Sequence, residues 1–140
     1  VAGWVAGQLT KRVFSVADHH EQADKALEAM FLAHIGFIAR HPGIPRLMLG
    51  ELQKPGNQPA KSIIRQTLAH YRQKVISLLH LGIEQKCISP SIDTEAAAVL
   101  YIGAIQAMVG GDIASIEQSA PRIFKLFSAS FRETSHDPKE

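Results

Sequence analysis

The sequence predicts an all-α domain of about six helices, and three observations carry that prediction. Apolar residues recur at spacings of three and four in every long segment, and no segment alternates with the period of a strand. Breakers interrupt these segments at lengths that suit helices: Asp18-His19-His20, His41-Pro42-Gly43, the run from Lys54 to Pro59, Ser89-Pro90-Ser91 and Gly110-Gly111. The 140 residues, 46% of them hydrophobic, suffice for one domain over residues 1–140, with a core that takes roughly two thirds of the unfolded surface out of water.

Each element follows in order. A first helix over residues 3 to 17 follows from Val5, Leu9, Val13 and Val16. A second, from Glu21 to Arg40, follows from Ala23, Leu27, Phe31 and Ile38, widened by Met30 and Phe37. Pro42 ends it, because the residue before a proline avoids helical geometry. Pro45 suits the first turn of a short third helix that reaches Gln53. Asn57 is placed to cap a fourth helix running to about Lys86; Ile64, Leu68, Tyr71, Val75, Leu78, Leu79, Gly82 and Ile83 form its stripe, the clearest helical period in the chain. Asp93 is a good N-cap for a fifth helix, Glu95 complements its dipole, and Gly110-Gly111 ends it. A sixth starts near Ser119, with Pro121 in its first turn and Ala120, Ile123, Phe124, Phe127 and Phe131 along one face. The tail from Ser135 to Glu140 is polar and expected to fray.

The fifth helix is too apolar to stand at a surface. From Ala96 onward Gln106 is its one strongly polar side chain, so nearly every side must be covered, by the rest of the domain or by a second copy. Gly103, Ala107 and Gly110 lie close to one face and would admit another helix closely. With Leu100 and the sixth helix's Phe124, Phe127 and Phe131 they form the expected face of a homodimer, in which the last two helices of each copy make a four-helix bundle. Packing of both helices inside one chain is the alternative that periodicity leaves open.

Composition excludes several function classes. The net charge is +2, and lysines and arginines are scattered without a basic block, which gives no sign of a polyanion partner. The single cysteine, Cys87, forms neither an internal disulfide nor a zinc spacing, and a reducing, cytoplasmic setting is the simplest reading. No stretch reaches the roughly 18 apolar residues of a membrane span. There is no Gly-rich phosphate loop, no His-Glu-x-x-His and no nucleophile elbow, so no metal, cofactor or catalytic residue is expected. Of seven histidines, His70 and His80 fall on the polar flank of the fourth helix, and His19, His20, His41 and His136 lie at breaks or in the tail.

His34 differs from these. It lies on the apolar stripe of the second helix, between Phe31 and Ile38, and a buried imidazole needs a hydrogen-bond partner from protein, water or ligand. Tyr71 is likewise a phenol on an aliphatic stripe, and Tyr101 and Gln106 are polar groups in an apolar helix. Met30, Phe31, Phe37, Leu47, Met48, Leu52, Tyr71 and Met108 suit either an adaptable cavity or an ordinary core.

Three stretches carry a resemblance. Phe37 to Glu51 reads as a helix end, a His-Pro break and a short helix; Leu79 to Asp93 as the end of a long helix and a polar turn; Thr94 to Gln106 as the helix that follows. In these, and in helix count and order, the chain resembles the C-terminal effector-binding and dimerisation domain of bacterial TetR-family transcriptional regulators. It departs from the family at Cys87, where a glycine is often found. The family's DNA-binding helix-turn-helix precedes this domain, and nothing before Trp4 matches it. The resemblance implies a homodimer built on the last two helices. It implies a small apolar or aromatic effector, of unknown identity, enclosed by the first, second and fourth helices and closed by the third. DNA would be contacted only through the part absent from this chain. Phe31, His34, Ile38, Met48, Tyr71 and Val75 are the expected pocket residues.

Two other readings compete with this non-enzymatic sensor. One is a dimerisation domain with a filled core and no ligand. The other is a small helical enzyme using His34 and a carboxylate such as Glu51, which no pair of carboxylates at metal spacing supports.

Overall fold

The computed structural model describes residues 2–41, 43–56, 58–109 and 112–131, and among these it holds six helices and no strand. They are α1 (Ala2–Ala17), α2 (Ala23–Arg40), α3 (Gly43–Gln53), α4 (Gln58–Glu84), α5 (Thr94–Met108) and α6 (Ile113–Ala129). The predicted all-α class and helix order hold. The expected Asn57 cap, Gly110 and the polar tail lie outside the described residues.

α2 is the centre of the bundle. It packs against α1, α4, α5 and α6, and it buries Ala23, Ala26, Leu27, Met30, Phe31, Ile35, Phe37, Ile38 and Ala39, which wrap round most of its circumference. α1 presents Val5, Val13 and Ala17 to α2 and α4. The long α4 is packed unevenly. Its C-terminal half buries Tyr71, Val75, Leu78 and Leu79, while Ile64 in the N-terminal half is half-buried and Leu68 is exposed.

The start of α2 has no cap of its own: Gln22 occupies the N-cap position without a side-chain hydrogen bond. Gln85, just beyond α4, fills that role from across the fold. Its Oε1 accepts from the Ala23 N–H at 2.9 Å and its Nε2 donates to the Glu21 carbonyl at 2.7 Å. One amide thereby satisfies a donor that every helix start leaves open.

The turn after α4 resolves the departure noted at Cys87. The left-handed position falls at Lys86, with φ +66°. The N–H groups of Cys87 and Ile88 both donate to the Gly82 carbonyl, at 3.0 and 3.1 Å. This is the hydrogen-bonded end that a glycine normally completes. Gly82 is required for close approach: a Cβ there would stand 2.7 Å from Ile88 Cγ1 and closer still to its Cδ1. Ser89 N–H then donates to the Phe131 carbonyl at 2.8 Å, tying the turn to the end of α6.

Helix boundaries shift in several places, among them the start of α2 at Ala23 rather than Glu21. α3 begins at Gly43, before Pro45, because Ile44 N–H closes a turn onto the His41 carbonyl at 3.1 Å. α4 ends at Glu84, ahead of Lys86. The larger correction is α6, which starts at Ile113 rather than near Ser119. Asp112 caps it by accepting from Ser115 N–H at 3.2 Å, so Pro121 stands inside the helix. Proline there removes the bond to the Glu117 carbonyl. Both residues are exposed, so water can take the carbonyl, and burial of Ile116 and Ala120 on the opposite side favours helix across the proline. Asp93 caps α5 as expected, accepting from Ala96 N–H at 3.0 Å.

Phe124, Phe127 and Phe131 turn inward, a correction to their expected place on a dimer face. They form an aromatic cluster with Phe31 and Tyr101: Phe31 meets Tyr101 edge-on at 5.3 Å and Phe124 at 5.4 Å, and Phe127 lies 5.8 Å from Tyr101 and 5.0 Å from Phe131. Such rings gain both burial and edge-to-face contact. Periodicity showed that α6 had an apolar face; it carried no information that the partner is α2 of the same chain. The face left outside is different. It comprises Val99 and Leu100 of α5, 59% and 62% exposed, with Ala107 exposed and Gly103 half-buried, and Leu126 of α6, 76% exposed.

Candidate ligand cavity

The loose N-terminal half of α4 borders a cavity of about 470 Å³. α1 contributes Val5, Ala6 and Leu9, and α2 contributes His34, Phe37 and Ile38. α3 closes one side with Ile44 and Met48, α4 lines another with Ile64, Thr67, Leu68 and Tyr71, and α5 completes it with Ile102, Ile105, Gln106 and Val109. The volume falls in the range of small-molecule sites, and the wall is chiefly aliphatic with few polar atoms, as in such sites. No lysine, arginine, aspartate or glutamate is among these residues.

The polar atoms of His34 and Tyr71 belong to one ordered group with Tyr101 behind the wall. His34 Nδ1 lies 3.1 Å from Tyr71 Oη, and Tyr71 Oη lies 3.2 Å from Tyr101 Oη. The His34 and Tyr71 rings stack at 5.3 Å, and Phe14 meets Tyr71 edge-on at 5.5 Å. Thr67 spends its hydroxyl on the Ile63 carbonyl at 2.8 Å. Burial lowers the His34 pKa to about 4, so the imidazole is neutral at pH 7. Burial also raises the pKa of both tyrosines above the ordinary value, and their hydroxyls stay protonated. The triplet is therefore a neutral hydrogen-bond chain suited to recognition. A proton-transfer site would need a partner with a pKa near neutrality, and no carboxylate lines the cavity among the described residues.

Four of the six expected pocket residues line this cavity: His34, Ile38, Met48 and Tyr71. Phe31 and Val75 do not. Both are fully buried, Phe31 against Tyr101 and Phe124, and Val75 one turn of α4 beyond Tyr71 on the packed side. The first helix was expected to enclose the pocket, but none of its residues was named for it, and the α5 wall was not expected at all. Gln106 carried a signal, as the polar break in an apolar helix. The α1 residues carried none, since Val5 and Leu9 look like any core stripe. The Glu51 side chain lies outside the described residues. Among the described residues no group of three His, Cys, Asp or Glu side chains is placed to hold a metal ion, and no helix is long and apolar enough to cross a membrane. Cys87 is half-buried, and burial pushes its thiol pKa up, away from the lowered value a reactive cysteine needs.

A TetR transcriptional regulator from Chloroflexus aurantiacus J-10-FL, known from its crystal structure, superposes on this chain with a TM-score of 0.80. The chain has that TetR-like helical fold. The match covers 95% of this chain and 71% of the other at 17% sequence identity, so the likeness is one of architecture. No family model and no curated protein sequence matches the chain.

Proposed function

We propose that this chain is the ligand-sensing and dimerisation part of a cytoplasmic TetR-like transcriptional regulator, non-enzymatic, whose DNA contacts are made by a helix-turn-helix outside the present sequence. The cavity carries this reading: about 470 Å³ walled by five helices, within a TetR-like fold. An apolar cleft of this size is what a small-molecule site needs, and a filled-core dimerisation domain has no use for it. The effector is a small, largely apolar or aromatic molecule. α1 lines the cavity and also exposes Trp4 near its start, so a ligand touching Val5 and Leu9 bears directly on the helix that would lead to the DNA-binding part. Regulation requires that ligand affinity differ between two arrangements of that helix.

The dimer face under this reading is the exposed apolar surface of α5 and α6: Val99, Leu100, Gly103, Ala107 and Leu126. No neighbouring atom lies within 4 Å of a Cβ placed on Gly103, which leaves room for a helix of a second copy. A thermal-shift screen with neutral aromatic and alicyclic compounds tests the sensor. A compound at a hundred times its dissociation constant adds about 2.7 kcal/mol of stability, which His34→Trp or Met48→Trp should abolish by filling the space. Failure of every compound to stabilise the protein, or binding untouched by both filling substitutions, refutes the sensor reading.

A further inference from the structure

We propose that the cavity selects a neutral ligand bearing a hydrogen-bond acceptor, such as a ketone or ester carbonyl, because the Tyr101–Tyr71–His34 chain fixes His34 as a donor through Nε2–H. The inference rests on the sensor reading and specifies its ligand chemistry. Three groups share two contacts, His34 Nδ1 to Tyr71 Oη at 3.1 Å and Tyr71 Oη to Tyr101 Oη at 3.2 Å. Each phenol has one hydrogen to place, and neutral imidazole has one hydrogen on one of two nitrogens.

Three arrangements are open to the chain. Nδ1–H and the Tyr101 hydroxyl can both donate to Tyr71 Oη, which has two lone pairs, but the Tyr71 hydrogen then has no acceptor among the described residues. Alternatively, His34 donates to Tyr71 through Nδ1–H and Tyr71 donates to Tyr101. Tyr101 is then left with its own hydrogen and no acceptor among the described residues, in a site that is 0% exposed. A buried hydroxyl without an acceptor is costly. If Nε2 carries the hydrogen, Tyr101 donates to Tyr71 and Tyr71 donates to Nδ1. Every hydroxyl hydrogen of the triplet is then used, and its one free polar hydrogen is on Nε2. Among the described residues no hydrogen bond reaches Nε2, and His34 is a wall of the cavity.

The wall sets the rest of the specificity. With no charged side chain among its described residues, an ionised ligand would leave water without a counter-charge. A ligand that offers only a donor finds no acceptor on the triplet unless it forces a tautomer that strands a hydroxyl, and must turn to Gln106 or Thr67 on the wall. A carbonyl on an apolar body meets neither penalty. Burial keeps the imidazole neutral, which agrees with the same assignment.

Two measurements on the intact 140-residue chain test this. Histidine-selective ¹⁵N NMR reads the tautomer without any ligand. The expected pattern has His34 Nε2 protonated and Nδ1 bare, and a protonated Nδ1 overturns the inference. Calorimetric titration with benzophenone, diphenylmethane and benzhydrylamine then compares an acceptor, an apolar body and a cationic donor of one shape. Benzophenone should bind about 3- to 10-fold tighter than diphenylmethane, the value of one net hydrogen bond, and the amine weakest. His34→Leu should erase the difference and His34→Gln, which keeps an N–H, should retain part of it. Equal binding of ketone and hydrocarbon, or a preference for the amine, overturns the acceptor rule while leaving a ligand cavity. Binding of none of the three overturns the inference together with this account of the cavity.

Discussion

Removing the Tyr71 hydroxyl should cost more than removing the Tyr101 hydroxyl, although Tyr101 is the more deeply buried of the two. Tyr71 Oη is the middle of the chain, with partners at 3.1 and 3.2 Å. Tyr71→Phe loses both contacts and strands the Tyr101 hydroxyl in a dry site. An orphaned buried polar group costs about 1–3 kcal/mol, and the loss at His34 adds up to about 1 kcal/mol, moderated by water in the cavity, for a total of about 1–4 kcal/mol. Tyr101→Phe loses one contact and strands nothing, because Tyr71 still donates to His34, so about 0.5–1.5 kcal/mol is expected. The double substitution removes the stranded hydroxyl along with its partner and should cost less than the sum of the singles, by about 1 kcal/mol or more. Urea unfolding of the four proteins, with midpoints compared at constant m-value, measures all three terms. A larger loss for Tyr101→Phe than for Tyr71→Phe, or strict additivity, would refute the hydrogen accounting.

Other expectations follow from features already described. His34 has a folded pKa of about 4 against an ordinary 6.5, so the unfolded chain binds more protons between those values. Its contribution is present in full above pH 6.5 and falls as pH drops towards 4, by about 2 kcal/mol between pH 7 and pH 5; His34→Gln should lack this component, and parallel slopes in the two proteins would contradict the burial of a neutral ring. Lys86→Gly should raise stability by about 0.5–1 kcal/mol, since Lys86 holds φ +66°, and a loss in thermal unfolding would argue against that turn. Gly82→Ala should lower it by about 1–3 kcal/mol by driving a methyl into Ile88, visible in the same assay; wild-type stability would mean that the close approach is not there. Leu100→Asp and Leu126→Asp should give folded monomers on sizing chromatography, and dimers in both would place any interface elsewhere.

The sequence was most informative where a residue's own neighbours decide its structure. Asp93 and the stripe from Tyr71 to Gly82 mark their helices without reference to anything distant, and both are found as expected. Pro121 misled because proline is tolerated inside a helix when the freed carbonyl reaches water, a fact about solvent rather than about sequence. The phenylalanines of α6 misled for a related reason: an apolar stripe announces burial without naming the surface that buries it. In the cavity, polar residues on apolar stripes were the legible part, and His34 and Tyr71 indeed meet there. Phe31 and Val75 share those stripes yet lie outside the wall, because the direction in which a stripe faces open space rather than a neighbour depends on the angles between helices. Apart from Gln106 the α1 and α5 walls are aliphatic, and aliphatic residues look the same in a core and in a pocket.

The Gln85 amide has a topological consequence. By holding both the Glu21 carbonyl and the Ala23 N–H, it closes the 62 residues that separate Ala23 from Gln85 into a ring, with a side chain where another protein might place a disulfide. Three of the five helices that wall the cavity, α2, α3 and α4, lie on that ring, and α1 and α5 approach from either side of it. The α1–α2 corner and the exit from α4 therefore act as one joint. A disturbance at either end reaches the other through two hydrogen bonds, without travelling the length of any helix.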